Sequence, residues 1–120
     1  MDMNDLVVII VLNHNKRNDI LECLESISKL DYNEYEIVVI DNNSSDGSAE
    51  EIKTKYRNVH LIESEINLGV AGGRNFGIKY ANEKFNYKFL LFLDDDIVID
   101  KVLYRCVLVL IGCPLVRIYV

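Results

Sequence analysis

The sequence predicts an α/β fold: a mostly parallel sheet with flanking helices. Three observations predict it. Continuous β-branched runs such as Leu6–Leu12 read as strands buried on both faces. These runs alternate with segments of helical periodicity at intervals of roughly thirty residues or fewer, the pattern of βαβ units with right-handed crossovers. Three of the runs then end in polar clusters: Asn13-His14-Asn15, Asp41-Asn42-Asn43 and Asp94-Asp95-Asp96. In open α/β sheets ligands bind beyond the carboxyl ends of the strands. The fold therefore gathers the three clusters at one rim.

Each element has its own warrant. After the Leu6–Leu12 strand, Asn18 or Asp19 caps a helix whose stripe is Ile20, Leu24 and Ile27. Ile37–Ile40 is a second buried strand, ending at Asp41. Residues 41–48 are loop by composition. Ser48, with Glu51 three residues on, forms a capping box that opens a helix through Tyr56. Val59–Glu63 is a third strand. Asn67–Asn75 is a glycine-rich connection, with Gly69 in a tight turn, into a helix ending near Glu83. Lys88–Leu93 is a fourth strand, ending at the acidic triplet.

Composition narrows the function classes. Half of the 120 residues are hydrophobic, enough for one small domain with a real core. A net charge of −6 with no basic stripe argues against nucleic acid, because phosphate neutralisation needs clustered Lys and Arg. Cys23, Cys106 and Cys113 are odd in number and lack CxxC spacing, so no disulfide framework or zinc site is expected, and a reducing compartment is the default. Met1–Asp5 is polar and acidic, and Leu6–Leu12 is too short for a signal h-region. The longest near-apolar run, Cys106–Val116, falls short of the ~20 residues of a spanning helix. No membrane span is predicted.

The acidic triplet needs an account. Two carboxylates about 4 Å apart at an effective dielectric near 20 repel by roughly 4 kcal/mol. Water, a basic side chain or a bound cation must offset that. Residues two apart on a strand share a face, so Asp94 and Asp96 point together and Asp95 turns aside. Such oxygens suit Mg²⁺ or Mn²⁺, which fill their remaining positions with phosphate oxygens and water. A solvated acidic turn is the competing reading. A receiver-type phosphoacceptor is disfavoured, because its acidic cluster belongs after the first strand, where Asn13-His14-Asn15 stands. Asp41 could accept a hydrogen bond from a base or ribose; taken alone, the stretch favours an Asx-turn over Asn42–Ser44. Arg74 either reaches a diphosphate or pairs with a surface acid, and Gly72 and Gly73 either admit a ligand or permit close helix–sheet packing. His14 reads as a structural histidine, and the scattered tyrosines as core or rim residues.

Four stretches in register carry a resemblance: VVIIVLNHNKRNDILECLESI, YEIVVIDNNSSDGSAEEI, LIESEINLGVAGGRNFGIKYA and FLLFLDDDIVI. Over residues 6 to about 100 the chain resembles the nucleotide-binding half of family 2 glycosyltransferases of the GT-A fold, nearest to bacterial rhamnosyl- and other polysaccharide sugar transferases. The resemblance implies a truncated, Rossmann-like nucleotide-sugar-binding domain over residues 1–100. It implies that Leu12, Asn13 and Asn15 line the nucleotide pocket, and that Asp41 recognises uracil or thymine. Arg74, after the Asn67-Leu68-Gly69 turn, lies near the nucleotide. Asp94 and Asp96 form the DxD element, the first at the ribose and the second at the Mg²⁺ or Mn²⁺, with Asp95 in the variable middle. The implied partners are a UDP- or dTDP-type sugar donor and a glycan or lipid-linked acceptor, and the implied location is cytoplasmic or at the inner membrane face.

The chain departs from the family pattern after the triplet. Family members carry a later Asp or Glu as general base; here only Asp100 follows Asp96 among acidic residues. Asp100 reads better as the cap of a helix from Lys101 to Ile111, stopped by Gly112 and Pro114. Residues 101–120 are apolar nearly all round. They suit a covered surface, self-association, or sequence foreign to the family. The expectation is a chain that binds a nucleotide but transfers poorly. A non-catalytic nucleotide- or metal-binding module is the alternative. A nucleotidyltransferase is disfavoured, since it needs a glycine-rich loop directly after the first strand.

Overall fold

The computed structural model describes residues 6–30, 34–95 and 98. Along them run β1 (Val7–Asn13), α1 (Arg17–Ser28), β2 (Tyr35–Asp41), α2 (Ser48–Lys55), β3 (His60–Glu63), α3 (Gly69–Lys84) and β4 (Phe89–Asp94). The strands form one sheet in the order β3-β2-β1-β4, every neighbouring pair parallel. This is the α/β architecture expected from the alternating pattern. Asp96, Asp100, the helix expected over Lys101–Ile111 and the rest of residues 101–120 lie outside the described residues. No helix among the described residues is long and apolar enough to cross a membrane.

The pleat sorts side chains onto two faces. Val7, Ile9, Val11, Val39, Leu91 and Leu93 join Ile20, Leu24, Ile27 and Ile52 in one core beneath α1 and α2. Val8, Ile10, Val38 and Ile40 join Ala81, with Leu12, Ile78, Leu90 and Phe92 packed against them, beneath α3. Burial on both faces is why β1 is an unbroken apolar run. Ile9, Ile10 and Ile40 are fully buried, each contributing roughly 1.5–3 kcal/mol of transfer free energy.

Helix α3 lies very close to the sheet. Its buried residues are Gly73, Gly77 and Ala81, one every fourth position. A Cβ built on Gly77 would stand 2.8 Å from Ile10 Cγ2, and one on Gly73 would stand 3.0 Å from Leu12 Cδ2 and 3.1 Å from Asn42 Nδ2. Of the two glycines for which packing is an alternative, Gly73 lies against the sheet, whereas a Cβ on Gly72 would meet Leu68 Cβ at 3.0 Å; Gly77 adds a close approach outside that segment.

Helix starts differ from the expected ones, for a tertiary reason. α1 opens at Arg17, before Asn18 and Asp19, because Asp46 Oδ2 accepts the Arg17 N–H at 3.0 Å. The Ser48–Glu51 capping box does not form. Gly47 precedes α2 in the left-handed region at φ 82°, Ser48 Oγ donates to Asp46 Oδ1 at 2.5 Å, and Glu51 pairs with Arg17. Asp46 thus serves both helix starts, accepting the Ser48 N–H at 3.0 Å as well.

Register sets the rim. Asn13 pairs with Asp41, Asp41 with Glu63, and Leu12 with Asp94, so the strands end within a residue of one another. The chain steps outward from β1 to β3, then crosses back through α3 to place β4 on the other side of β1. That reversal makes the β1–β4 border the topological switch point, where α/β sheets hold their ligands.

Candidate functional site

A cavity of about 410 Å³ opens at this border, lined by Leu12, Asn13, His14, Asn42, Asn67, Gly69, Val70, Asp94 and Asp95. Its walls are the ends of β1 and β4, the residue after β2, and the start of α3. Gly69, at φ 73°, turns the chain into that helix. The Asn67 side-chain oxygen accepts the Gly69 N–H at 2.9 Å. The amino end of a 16-residue helix therefore meets the cavity, and its dipole favours an anion there.

Strand parity divides the predicted residues between the two faces. Asp94 continues the Leu90–Phe92 row on the α3 side, and Leu12 continues the Val8–Ile10 row. Both reach the cavity, as Asn67, Gly69 and Asp95 do. Asp94 is more than half exposed, with Oδ1 3.5 Å from Arg74 Nη2. The Arg74 guanidinium lies over the Phe92 ring at 5.4 Å. Arg74 therefore stands at this rim, paired with an acid.

Asp41 falls on the opposite side of the pleat. It is 2% exposed, and both carboxylate oxygens are engaged: Oδ1 accepts from Asn13 Nδ2 at 2.9 Å and Oδ2 from the Ser44 N–H at 3.1 Å. The turn alternative describes this geometry, and Asp41 is absent from the cavity wall. Asn13 contributes to that wall, but its amide turns under α2 and donates to Ser48 Oγ at 2.8 Å. Asn15 has the same parity as Asn13 and leaves the cavity altogether. At φ 53°, its Oδ1 accepts the Ser45 N–H at 2.7 Å.

Asn15 instead borders a larger hollow of about 560 Å³ with Lys16, Arg17, Asp19, Asp46 and Glu51. Two of the charges in that hollow, Arg17 and Glu51, form an ion pair. The hydrogen bond from Arg17 holds the Glu51 carboxyl below its ordinary range, and Glu51 raises Arg17 in return. Burial pushes the Asp46 carboxyl up, but hydrogen bonds from Ser48 and the Arg17 N–H outweigh it and hold the group low.

Three cavity residues carry no ligand role in the sequence reading: His14, Asn42 and Val70. Asn42 shares the Ile40 parity, a signal the sequence does contain. Its amide braces the start of α3: Nδ2 donates to the Gly69 carbonyl at 3.2 Å and Oδ1 accepts the Leu68 N–H at 3.3 Å. His14 satisfies the structural reading and also lines the cavity. Nδ1 lies 2.7 Å from the Asn42 carbonyl oxygen, which can only accept, so Nδ1 carries a proton.

The arrangement offers carboxylate oxygens and a helix amino terminus around one crevice, with the Arg74 guanidinium paired to one of those carboxylates. Comparison with known proteins gives that chemistry a context. The model of the family described as Glycosyl transferase family 2 matches residues 8–111, past the acidic triplet and into the apolar segment. The chain is 36% identical over 89 residues to the poly-beta-1,6-N-acetyl-D-glucosamine synthase of Staphylococcus epidermidis, covering 72% of this chain and 21% of that protein. It is 33% identical over 92 residues to the Escherichia coli UDP-Glc:alpha-D-GlcNAc-diphosphoundecaprenol beta-1,3-glucosyltransferase WfgD, covering 76% of this chain and 35% of that one. The structure of S. aureus TarS 1-349 in complex with UDP-GlcNAc superposes with a TM-score of 0.76 at 31% identity, over 89% of this chain and 31% of that one. The Pyrobaculum calidifontis mannosyltransferase PcManGT, in complex with GDP-Man and Mn2+, shares the fold at a TM-score of 0.79 and 22% identity. The chain spans only about a fifth to a third of these proteins' lengths.

Proposed function

The chain belongs to glycosyl transferase family 2, and from that premise we propose that it is the donor-binding part of an enzyme transferring a sugar from a nucleoside diphosphate to an acceptor hydroxyl. The observation that carries this reading is the meeting of Asp94 and Asp95 with the start of α3 in one cavity at the β1–β4 border. A diphosphate is the ligand that such a helix terminus favours. TarS, with UDP-GlcNAc in its structure, supports a UDP-type donor.

Each residue has a role in this reading. The base lies against Leu12 and Asn42, whose amide presents both a donor and an acceptor. Asp41 supports this wall from beneath by fixing Asn13 and Ser44, so the base contact first assigned to Asp41 falls to Asn42. Gly69 and Val70 approach the diphosphate, with Arg74 nearby. Asp94 meets the ribose or a cation, beside Asp95.

A divalent cation suits these residues. The donors are hard oxygens, and Asp94 is exposed enough to accept a ligand. Among the described residues no three His, Cys, Asp or Glu side chains cluster; Mg²⁺ commonly takes only one or two protein carboxylates, with phosphate and water completing its shell. Asp96, the metal position that the resemblance implies, would hold the ion together with Asp94. Bound there, the cation would supply Lewis-acid stabilisation of the charge on the departing diphosphate. In this reading the acceptor is a glycan or lipid-linked acceptor, and the site works in the cytoplasm or at the inner membrane face.

The test is a thermal shift with UDP, dTDP or GDP and Mn²⁺. A nucleotide at 100 times its Kd should stabilise the chain by about 2.7 kcal/mol, and Asp94→Ala should remove the Mn²⁺-dependent part. No shift with any nucleoside diphosphate would end this reading.

A further inference from the structure

We propose that Arg74 is the resident counter-cation of Asp94, yielding that carboxylate to a divalent ion only when a nucleoside diphosphate arrives to take the guanidinium. The proposal rests on the donor-site reading and adds an order of binding to it.

Three observations carry it. Phe92 and Asp94 stand two apart on β4 and so project onto the same face, towards α3. Arg74, about one turn into α3, stacks over the first at 5.4 Å and reaches the second at 3.5 Å. The ring holds the planar guanidinium beside the carboxylate. The ion pair itself is long, at the outer limit of a hydrogen bond. Asp94 is 58% exposed and Arg74 34%, so the pair is solvated and readily exchanged.

The consequence is electrostatic. A divalent cation approaching Asp94 alone meets a guanidinium already there, and the two positive charges repel. A diphosphate changes the balance, because it offers Arg74 a bidentate anion and brings negative charge for the metal. Metal and nucleotide therefore bind with positive coupling, and by linkage each tightens the other by the same factor. Arg74 is a positioning residue in this scheme: it acts on the metal through Asp94.

The experiment measures Mn²⁺ binding to the full chain by the loss of its free EPR signal, with and without UDP. It uses wild type, Arg74→Gln, Arg74→Lys and, as the baseline for ions held elsewhere on the acidic surface, Asp94→Asn. Circular dichroism checks that each variant is folded. Arg74→Gln should bind Mn²⁺ alone about tenfold more tightly than wild type, about 1.4 kcal/mol, and the tightening that UDP gives, counted above the Mn²⁺ that UDP binds in protein-free buffer, should be smaller by that factor. Arg74→Lys, keeping the charge, should retain weak binding of Mn²⁺ alone. If wild type binds Mn²⁺ with UDP but Arg74→Gln takes Mn²⁺ alone no more tightly, the counter-cation role is wrong and the donor site stands. If wild type binds neither, the donor-site reading falls and takes this inference with it.

Discussion

Asp41→Asn separates a bracing aspartate from one that reads a base. The carboxylate is 2% exposed and accepts from Asn13 Nδ2 at 2.9 Å and the Ser44 N–H at 3.1 Å. Asparagine has nearly the same shape but one acceptor oxygen. Its NH₂ faces either the Ser44 N–H or the Asn13 amide, donor against donor, and turning the Asn13 amide over to present its Oδ1, unpartnered among the described residues, would forfeit the bonds from Nδ2 to Ser44 Oγ and Ser48 Oγ. One hydrogen bond to a charged group, worth roughly 1.5–3 kcal/mol, is lost, and the other weakens to a neutral bond of roughly 0.5–1.5 kcal/mol. Relief from burying a charge offsets part of this. The net is a destabilisation of about 2 kcal/mol. With a urea m-value of about 1.5 kcal/mol/M, the unfolding midpoint should fall by about 1.3 M. The chain has no tryptophan, so far-UV circular dichroism follows the transition. A midpoint within about 0.3 M of wild type, accompanied by lost nucleotide affinity, would refute the bracing role and return Asp41 to the ligand.

Gly77→Ala sets helix propensity against packing. Alanine gains about 1 kcal/mol in a helix, but its Cβ would meet Ile10 Cγ2 at 2.8 Å on a fully buried central strand, and overpacking costs roughly 1–3 kcal/mol. Thermal unfolding should show a lower Tm; a rise would mean that α3 moves off the sheet without loss. Gly73→Ala presses on Leu12 and Asn42, so it should weaken UDP binding in calorimetry more than Gly77→Ala does. Asp46 and Glu51 have carboxyls held low in the folded chain. Their stabilisation is therefore present above the unfolded carboxyl values, near 4, and fades as pH falls through the lower folded values. Asp46→Asn should flatten the acid limb of stability against pH, and an unchanged limb would remove these helix-start bonds from the account.

The core was legible because the relevant physics is local. β1 and β2 are apolar over consecutive residues, and a strand buried on both faces leaves no other reading for such runs. The helix starts were less legible because their caps are remote. Asp46 accepts the Arg17 N–H from 29 residues away, beyond any local capping pattern. Asp94, Leu12 and Gly69, read as nucleotide-binding from the sequence, line the cavity, since the ends of parallel strands and the following helix converge there by topology. Asp41 and Asn15 stand off the cavity wall for one reason: the pleat turns alternate residues to opposite sides, so a polar residue at a strand end does not face the α3 side by position alone. Counting by twos from Ile40 leads to Asn42, and from Asn13 to Asn15, on the other side. The Arg74–Asp94 pair was open in the sequence, because a helix residue and a strand end meet only once α3 lies on Gly73 and Gly77.

The central claim is that a nucleoside diphosphate occupies the cavity on the α3 side of the strand ends. Backbone amide shifts in NMR spectra recorded on adding UDP and Mg²⁺ test it most directly. The account predicts changes concentrated at Leu12–His14, Asn42, Asn67–Arg74 and Asp94–Asp95. Changes centred instead on Lys16–Asp19 and Glu51, or on Ile52–Leu61, would contradict it.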